Sequence, residues 1–424
     1  MTRAGIWIAA LGWLWLGLQP ALADDDDLPA PTAPAASSHS LASLFAPEFR
    51  VEGTISAMTA DDNERLGENG NRFSVSEAGI SMRSYVDPYF SFEIELAGGD
   101  ALEDGQVQSE FGFKRAFAVY LRDENGIWAR IGKMPTSFGE YNDGDPDELA
   151  EVTAPDVVLN YFGEDDGYID TGIEANVNVP IFDTSHIFWL GILNGDNPVV
   201  FHGGAERKPI YFARYEFFFD FGPLTGFEVT TAYIQGLNRR ETEVNGEPFT
   251  VRGETRMANL HMDVDHQPAR TYLYSGWTLI GELFWQQRDY EKNDALEAAA
   301  AAEGLDIADL DHKDDTWGFY LLGEIKLGRN WRAGLRADRS PVRLVEFSEE
   351  PSGESGDSAG VPSQPYRIFG GDPVEAGSLI LSYHPSRFTT IRGQYTNKRI
   401  GGDNWNEVWI QLQVLIGFER PDVF

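Results

Sequence analysis

The segment 408–418 reads VWIQLQVLIGF, in which Val, Ile, Leu, Val, Ile and Phe alternate with Trp, Gln, Gln, Leu and Gly. Successive side chains of a β-strand point to opposite faces, so this pattern predicts a strand with one apolar and one largely polar face. The same alternation recurs in the segments 48–57, 90–96 and 173–179.

Sixteen segments of the chain are predicted to be strands, most of them from this alternation, whereas 186–194 is apolar on both faces. A change of phase around Glu77 and Ala78 predicts a β-bulge in the second of them. The predicted strands are 48–58, 71–83, 88–97, 112–122, 127–134, 171–180, 186–194, 210–220, 226–236, 254–265, 272–286, 316–327, 330–338, 374–384, 387–397 and 406–418.

The connections between these strands alternate between long and short along the whole chain. The long ones are 59–70, 98–111, 135–170, 195–209, 237–253, 287–315, 339–373 and 398–405. The short ones are 84–87, 123–126, 181–185, 221–225, 266–271, 328–329 and 385–386. An even number of strands with this alternation is typical of an up-and-down barrel whose short turns face the periplasm and whose long loops face outwards.

The predicted fold class is therefore all-β: a transmembrane antiparallel up-and-down β-barrel of about 16 strands, within a range of 16–18. Most segments have the roughly 9–11 residues that a transmembrane strand needs. Closure leaves no strand edge with unpaired amides in lipid. A secreted β-sandwich, or a pair of soluble β-domains, is the alternative interpretation.

Composition excludes several classes of protein. The chain has 424 residues, 33 Lys and Arg against 68 Asp and Glu, a formal net charge of −35 and no cysteine. The acidic balance argues against a nucleic-acid partner, which requires clustered basic residues. The lack of cysteine removes disulfides and thiolate metal sites. No G-x-S-x-G, H-E-x-x-H or P-loop motif occurs, so we expect no enzyme activity, no cofactor and no resident metal.

The N-terminal part of the chain predicts export. Residues 1–23 combine one arginine, an apolar run and the small residues of a cleavage site, which is typical of a secretory signal peptide. Residues 24–47, rich in Asp, Pro, Ala and Ser, are predicted to be a flexible periplasmic linker. The predicted barrel domain then covers residues 48–424.

Three places carry a resemblance to a known family: RIGKMPTSFGEYN at 130–142, NYFG at 160–163 followed by GYIDTGI at 167–173, and the C-terminus ending in Phe424. Together they resemble the Gram-negative outer-membrane porins of the phosphate-selective porin O/P-like group and related porins. The resemblance implies a trimeric outer-membrane barrel of 16 to 18 strands that passes small solutes by diffusion. It also implies that the loop 135–170 folds into the lumen.

The loop 135–170 carries many carboxylates and neither Lys nor Arg. Carboxylates at a constriction favour cations over anions. The candidate acidic residues of the pore are Glu140, Asp143, Asp145, Asp147, Glu148, Glu151 and Asp156. A solvated outer loop is the alternative, since the whole chain is acidic.

Period two places a set of basic side chains on the inward face of the predicted strands. These are Lys114, Arg122, Arg130, Arg332, Arg336 and Arg392. They would form either a basic wall opposite the acidic loop or a lumen lining in which they pair with neighbouring carboxylates.

The sequence thus predicts a passive outer-membrane porin that prefers cations, with outer-membrane lipid and small hydrophilic solutes as its partners and a homotrimer as its assembly. The alternatives are a receptor or adhesin barrel that does not conduct, and an anion-selective channel of the phosphate type.

Overall fold

A computed structural model shows a closed antiparallel β-barrel. It describes residues 47–63, 68–87, 89–103, 106–122, 126–143, 151–162, 167–181, 184–195, 200–201, 208–244, 247–268, 275–289, 313–341, 343–347, 366–369 and 373–417. The predicted signal peptide and nearly all of the predicted linker lie outside these residues. Among the described residues, no helix is long and apolar enough to cross a membrane.

The barrel contains sixteen strands, as predicted, and each pairs with its neighbours in antiparallel register until the first strand closes the ring against the last. The barrel strands are β1 (Glu48–Asn63), β2 (Glu68–Tyr85), β3 (Phe90–Glu103), β4 (Gln106–Arg122), β5 (Ile127–Pro135), β6 (Ile169–Ile181), β7 (Thr184–Leu193), β8 (Ile210–Asp220), β9 (Thr225–Val244), β10 (Glu247–His266), β11 (Ser275–Asp289), β12 (Lys313–Leu327), β13 (Trp331–Ser340), β16 (Val374–Ser386), β17 (Thr389–Ile400) and β18 (Asp403–Gly417).

Further elements lie in the connections. The short strands β14 (Arg343–Phe347) and β15 (Tyr366–Phe369) form a separate hairpin, so β13 pairs directly with β16. Two short helices, α1 (Glu140–Asp143) and α2 (Asp156–Phe162), lie between β5 and β6. The predicted bulge is present one residue earlier than expected: Thr54 pairs with Glu77 and Ile55 with Val75, which leaves Ser76 over.

Several strands extend farther at their long-connection ends than the sequence pattern predicts. β9 and β10 pair as far as Val244 and Glu247, so most of the predicted loop 237–253 is a hairpin. The predicted loops 59–70, 98–111 and 398–405 are likewise mostly strand. The apolar alternation that reveals a strand ends with the apolar belt, whereas backbone pairing needs no apolar side chains and continues beyond it.

The two faces of the sheet have opposite chemistry. Inward-facing side chains include many buried charged and polar groups, whereas most outward-facing side chains are apolar and exposed. Along β16, for example, Leu379 and Leu381 are exposed while Ser378 and Ser382 are buried. This is the reverse of a water-soluble protein, and it matches a barrel that presents an apolar band to lipid and a polar face to its interior.

Candidate functional site: the segment between β5 and β6

Residues 136–168, called here the inserted segment, connect β5 to β6, and two glycines shape its start. Gly132 has φ +138°, and a Cβ atom there would lie 2.2 Å from the carbonyl oxygen of Ala116 on β4. Gly139 has φ +90°, and a Cβ atom there would lie 2.8 Å from Glu282 Oε1 on β11. These backbone conformations and close approaches favour glycine. They give a physical reason for two glycines of the motif at 130–142.

A buried ion pair holds the beginning of the segment. Arg130 Nη2 donates to Glu174 Oε2 on β6 at 2.8 Å and to Ser137 Oγ at 2.8 Å. Ser137 Oγ donates to Glu174 Oε2 at 3.0 Å, and Arg214 of β8 donates to the Ser137 carbonyl oxygen at 3.2 Å. Because these groups are buried, their hydrogen bonds fix one geometry for the chain as it leaves β5.

An apolar cluster then fastens the segment to the inner wall. The rings of Phe138 and Phe162 pack edge to face with centroids 6.2 Å apart, and both contact Phe284 of β11. Other members from the segment are Tyr141, Ala154, Val157, Val158, Tyr161 and Tyr168. Each large apolar side chain buried in this way contributes about 1.5–3 kcal/mol relative to exposure in water.

Asp170 closes the segment where β6 begins. Its Oδ2 atom accepts hydrogen bonds from Tyr168 Oη at 2.6 Å and from the Gly195 amide at 2.9 Å. One carboxylate therefore joins two consecutive long connections. Two residues on, a Cβ atom on Gly172 would lie 2.4 Å from the carbonyl oxygen of Ile192. In the Asp-x-Gly motif at 170–172, the aspartate thus joins two connections by hydrogen bonds and the glycine allows a close contact between β6 and β7.

The middle of the segment is bound to β17. Gln394 Oε1 accepts a hydrogen bond from the Val152 amide at 2.8 Å, and Gln394 Nε2 donates to Thr153 Oγ1 at 2.8 Å. Asp156, the first residue of α2, forms an ion pair with Lys398 Nζ at 2.9 Å.

Arg336 of β13 binds the same part of the segment. It lies 3.7 Å from Glu151 Oε1 and 3.0 Å from Asp338 Oδ2, and it donates to the Thr153 carbonyl oxygen at 2.5 Å. Burial raises the pKa of the Glu151 carboxyl above its ordinary value of 4.5, and the neighbouring Arg336 offsets part of that rise.

These contacts span the barrel. The segment leaves β5 and binds β13, which lies eight strands away around the sixteen-strand ring in either direction. Side chains of β6, β8, β11, β12 and β17 contact it as well. The described part of the segment therefore reaches from one wall to the opposite wall.

The acidic candidates fall into two groups. Glu151 and Asp156 are described, and both face basic side chains of the wall. Glu140 and Asp143 lie in α1, but their side chains are outside the described atoms; Asp145, Asp147 and Glu148 are outside the described residues altogether. Their role at a constriction stays a prediction.

Most basic candidates have a carboxylate partner. Lys114 pairs with Glu77 at 2.9 Å, Arg130 with Glu174 at 2.8 Å and Arg332 with Glu324 at 3.3 Å. Arg336 pairs with Glu151 and Asp338.

Two basic candidates remain. Arg392 donates to Gln411 Oε1 at 2.9 Å, and Arg122 ends β4 with its side chain outside the described atoms. Of the two arrangements that the sequence left open, the described geometry is closer to a salt-bridged lining.

Sequence reasoning missed Lys398, Gln394 and Arg214 as contacts of the segment. All three have the inward phase of their strands, and Lys398 lies one residue beyond the predicted end of its strand at 397. The inward phase was thus a signal, but no local pattern encoded the choice of partners that lie 77 to 242 residues away in the sequence.

One carboxylate group has a geometry that could hold a metal ion. Single carboxylate oxygens of Glu52, Glu77 and Glu95 lie within 4.8 Å of one another on the inner face of β1–β3. Each forms an ion pair with Arg50, Lys114 or Arg115, respectively. A cation would have to compete with these bases, so we assign no metal to the group.

Comparison with known proteins supports the fold. No protein-family model matches the chain. An uncharacterized protein of Aquifex aeolicus is 24% identical over 356 residues, and this chain spans only 65% of its length while 80% of this chain is covered.

Solved structures of outer-membrane proteins superpose on most of the chain. OmpF of Salmonella typhi, solved with daunomycin, has a TM-score of 0.52 at 10% identity and covers 89% of this chain and 99% of its own. The anion-selective porin from Comamonas acidovorans has a TM-score of 0.50 at 12% identity, and the match covers 88% of this chain and 99% of that porin. OmpT of Vibrio cholerae in its trimer form has a TM-score of 0.51 at 8% identity, and the match covers 88% of this chain and 99% of that one.

The fold is that of the outer-membrane porin barrels. Identities this low show the fold alone, and the narrower resemblance to the phosphate-selective group stays a prediction.

Proposed function

We propose that the chain is an outer-membrane porin through which small hydrophilic solutes and ions diffuse passively, with a preference for cations. The observation that carries the proposal is the reversal of the two faces: a closed sixteen-strand ring has exposed apolar side chains outside and charged side chains inside. Sixteen-strand barrels are wide enough for an aqueous channel, and a polar inner face is what water in that channel requires.

The inserted segment would set the width of the channel. Buried contacts bind the segment to opposite walls of the barrel. The segment can therefore narrow the lumen by a fixed amount, whereas a loop without such contacts would move. Covalent chemistry plays no part in this function, and we propose no enzyme activity.

Cation preference would arise from the carboxylates of the connection between β5 and β6. Glu151 and Asp156 are paired with wall bases, and we assign the preference to Asp143, Asp145, Asp147 and Glu148 of the same connection, as the sequence predicts. Two inward carboxylates near the short-turn end, Asp263 and Asp265, add to it; no described Lys or Arg is within ion-pair distance of either.

The remaining features of the proposal follow the sequence. Residues 1–23 would direct export and be cleaved, residues 24–47 would form a periplasmic linker, and the short turns would face the periplasm. The trimer form of the Vibrio cholerae relative supports a homotrimer.

Planar bilayer recording tests the proposal. We expect steady unitary conductance steps and, under a salt gradient, a zero-current potential of cationic sign. Replacement of Asp143, Asp145, Asp147 and Glu148 by Asn or Gln should move that potential towards zero, and high salt should have the same effect, because the Debye length falls from about 30 Å at 0.01 M to about 3 Å at 1 M. Glu375→Gln, on the outward face, is the matched control and should change nothing.

Two other outcomes correspond to the alternatives. The apolar cluster fills part of the interior between the segment and the wall, which favours a barrel without conductance; a silent bilayer with correctly folded protein would support that receptor-type function and contradict the porin. A potential of anionic sign would show a channel controlled by its basic lining, as the anion-selective alternative requires.

A further inference from the structure

The outward face of β13, β16 and β17 shows where the membrane would end. At the short-turn end, Trp331 and Tyr383 are in contact with ring centroids 4.6 Å apart. Apolar outward side chains such as Leu335 and Leu379 follow towards the long-connection end. Aromatic residues border a lipid-facing band at both of its interfaces, and the outward Trp317 lies beside Arg339 at the long-connection end.

A row of charges ends this apolar band. Arg339 of β13 is directly opposite Glu375 of β16, which is directly opposite Arg399 of β17. All three share the outward phase of their strands with exposed apolar residues. Two strand spacings separate the backbones of the two arginines, roughly 10 Å. Long arginine side chains at this spacing could bind one anionic group together.

The two arginines differ from the bases inside the barrel. Arg50, Arg83, Arg130 and Arg214 each have a carboxylate within ion-pair distance. Within the described part of the chain, neither Arg339 nor Arg399 does, although Glu375 stands between them.

The two arginines have neutral contacts among the described residues. The Arg339 guanidinium carbon lies 3.7 Å from the centre of the Trp317 ring on the outward face of β12. The Arg399 Nε atom donates to the Gly401 carbonyl oxygen at 3.4 Å, and the Arg399 side chain is exposed.

We infer that Arg339 and Arg399 form a binding site for the phosphate group of a lipid in the membrane leaflet at the long-connection end. Guanidinium groups bind phosphate through two parallel hydrogen bonds, and such sites are stronger where water is partly excluded. The apolar band beneath the row would bind the acyl chains of the same molecule. The inference rests on the proposed membrane location, but it does not depend on conduction.

Native mass spectrometry of the folded full chain tests this site. The probe is diphosphoryl lipid A in detergent micelles, compared with its dephosphorylated form. We expect the protein to retain the phosphorylated lipid and the double variant Arg339→Gln/Arg399→Gln to lose about tenfold or more of that binding, since each base near a lipid surface contributes on the order of fivefold. Arg256→Gln is the matched control, because Arg256 also faces outwards near the rim but is paired with Glu254.

The remaining outcomes are decisive as well. Arg399→Gln alone, at an exposed position, should still weaken binding severalfold if the double variant does not fold; heat-modifiable migration checks folding. Equal retention by wild type and variants, or equal retention of the dephosphorylated lipid, would overturn the inference. Displacement of the lipid by an equal concentration of inorganic phosphate would show a free-anion site instead. Retained lipid together with a silent bilayer would contradict the proposed function and leave this site standing.

Discussion

At the scale of single residues, the motif that links β5 to the inserted segment is explained by backbone geometry. Gly132 lies where a side chain would contact the backbone of β4, and Gly139 lies where one would contact Glu282. The sequence contains the motif, but only the structure shows that Gly132 allows close approach to β4 and Gly139 to β11.

The first residue-scale prediction concerns Gly132→Ala. The added Cβ atom would lie 2.2 Å from a carbonyl oxygen, at a φ of +138° that side chains avoid. Strained backbone alone costs on the order of 1–3 kcal/mol, so we expect a clear loss of stability in denaturant unfolding from vesicles. Gly112→Ala is the control, since no atom lies within 4 Å of its added Cβ atom. Equal stability of the two variants would show that Gly132 is not required by the close approach of β5 to β4.

The second residue-scale prediction concerns Glu174→Gln. Glu174 is fully buried and is the ion-pair partner of the buried Arg130. A buried arginine that loses its counter-charge costs about 3–5 kcal/mol, which unfolding monitored by tryptophan fluorescence can measure. Glu324→Gln removes the partner of the more exposed Arg332, and should cost no more than about 1 kcal/mol. A smaller loss for Glu174→Gln than for Glu324→Gln would refute the buried pair.

At the scale of elements, strands and connections were not equally predictable. Most strands of the ring could be found from alternation, because an apolar outer face makes every second residue apolar, whereas β7 is apolar on both faces. The wall contacts of the inserted segment could not be found, because Gln394 and Lys398 are far away in sequence and resemble any other inward polar residue. The separate hairpin β14–β15 also has no apolar alternation long enough to reveal it.

The element-scale prediction is a pH dependence of the inserted segment. Glu151 has a raised pKa, so the folded protein binds its proton more tightly than the unfolded chain, whose ordinary value is 4.5. Its contribution to stability is therefore fully present below pH 4.5 and is lost as pH rises through the raised pKa, with a slope of at most about 1.4 kcal/mol per pH unit.

Glu151→Gln removes this titration. The unfolding free energy of the wild type minus that of the variant should therefore fall as pH is raised from 4.5 towards neutrality. Urea unfolding of both proteins at several pH values measures the difference. A difference that rises with pH would show that the ion pair with Arg336 dominates over burial.

At the scale of the whole molecule, the proposed channel function depends on which face of the ring meets water. The net charge of −35 argues against a nucleic-acid partner, and the apolar outer face of the ring is compatible with lipid despite that charge. Selectivity is less predictable, because the described carboxylates of the segment are neutralised by bases from distant strands.

Adjacent cysteine substitutions on β17 test whether the barrel encloses a water-filled channel, and the chain contains no natural cysteine to interfere. Thr390 has the inward phase and Ile391 the outward phase of the same strand. A charged, membrane-impermeant thiol reagent should lower the unitary current of Thr390→Cys in a bilayer and leave that of Ile391→Cys unchanged. Modification of Ile391→Cys with no effect on Thr390→Cys, or no unitary current in either variant, would contradict a water-filled barrel.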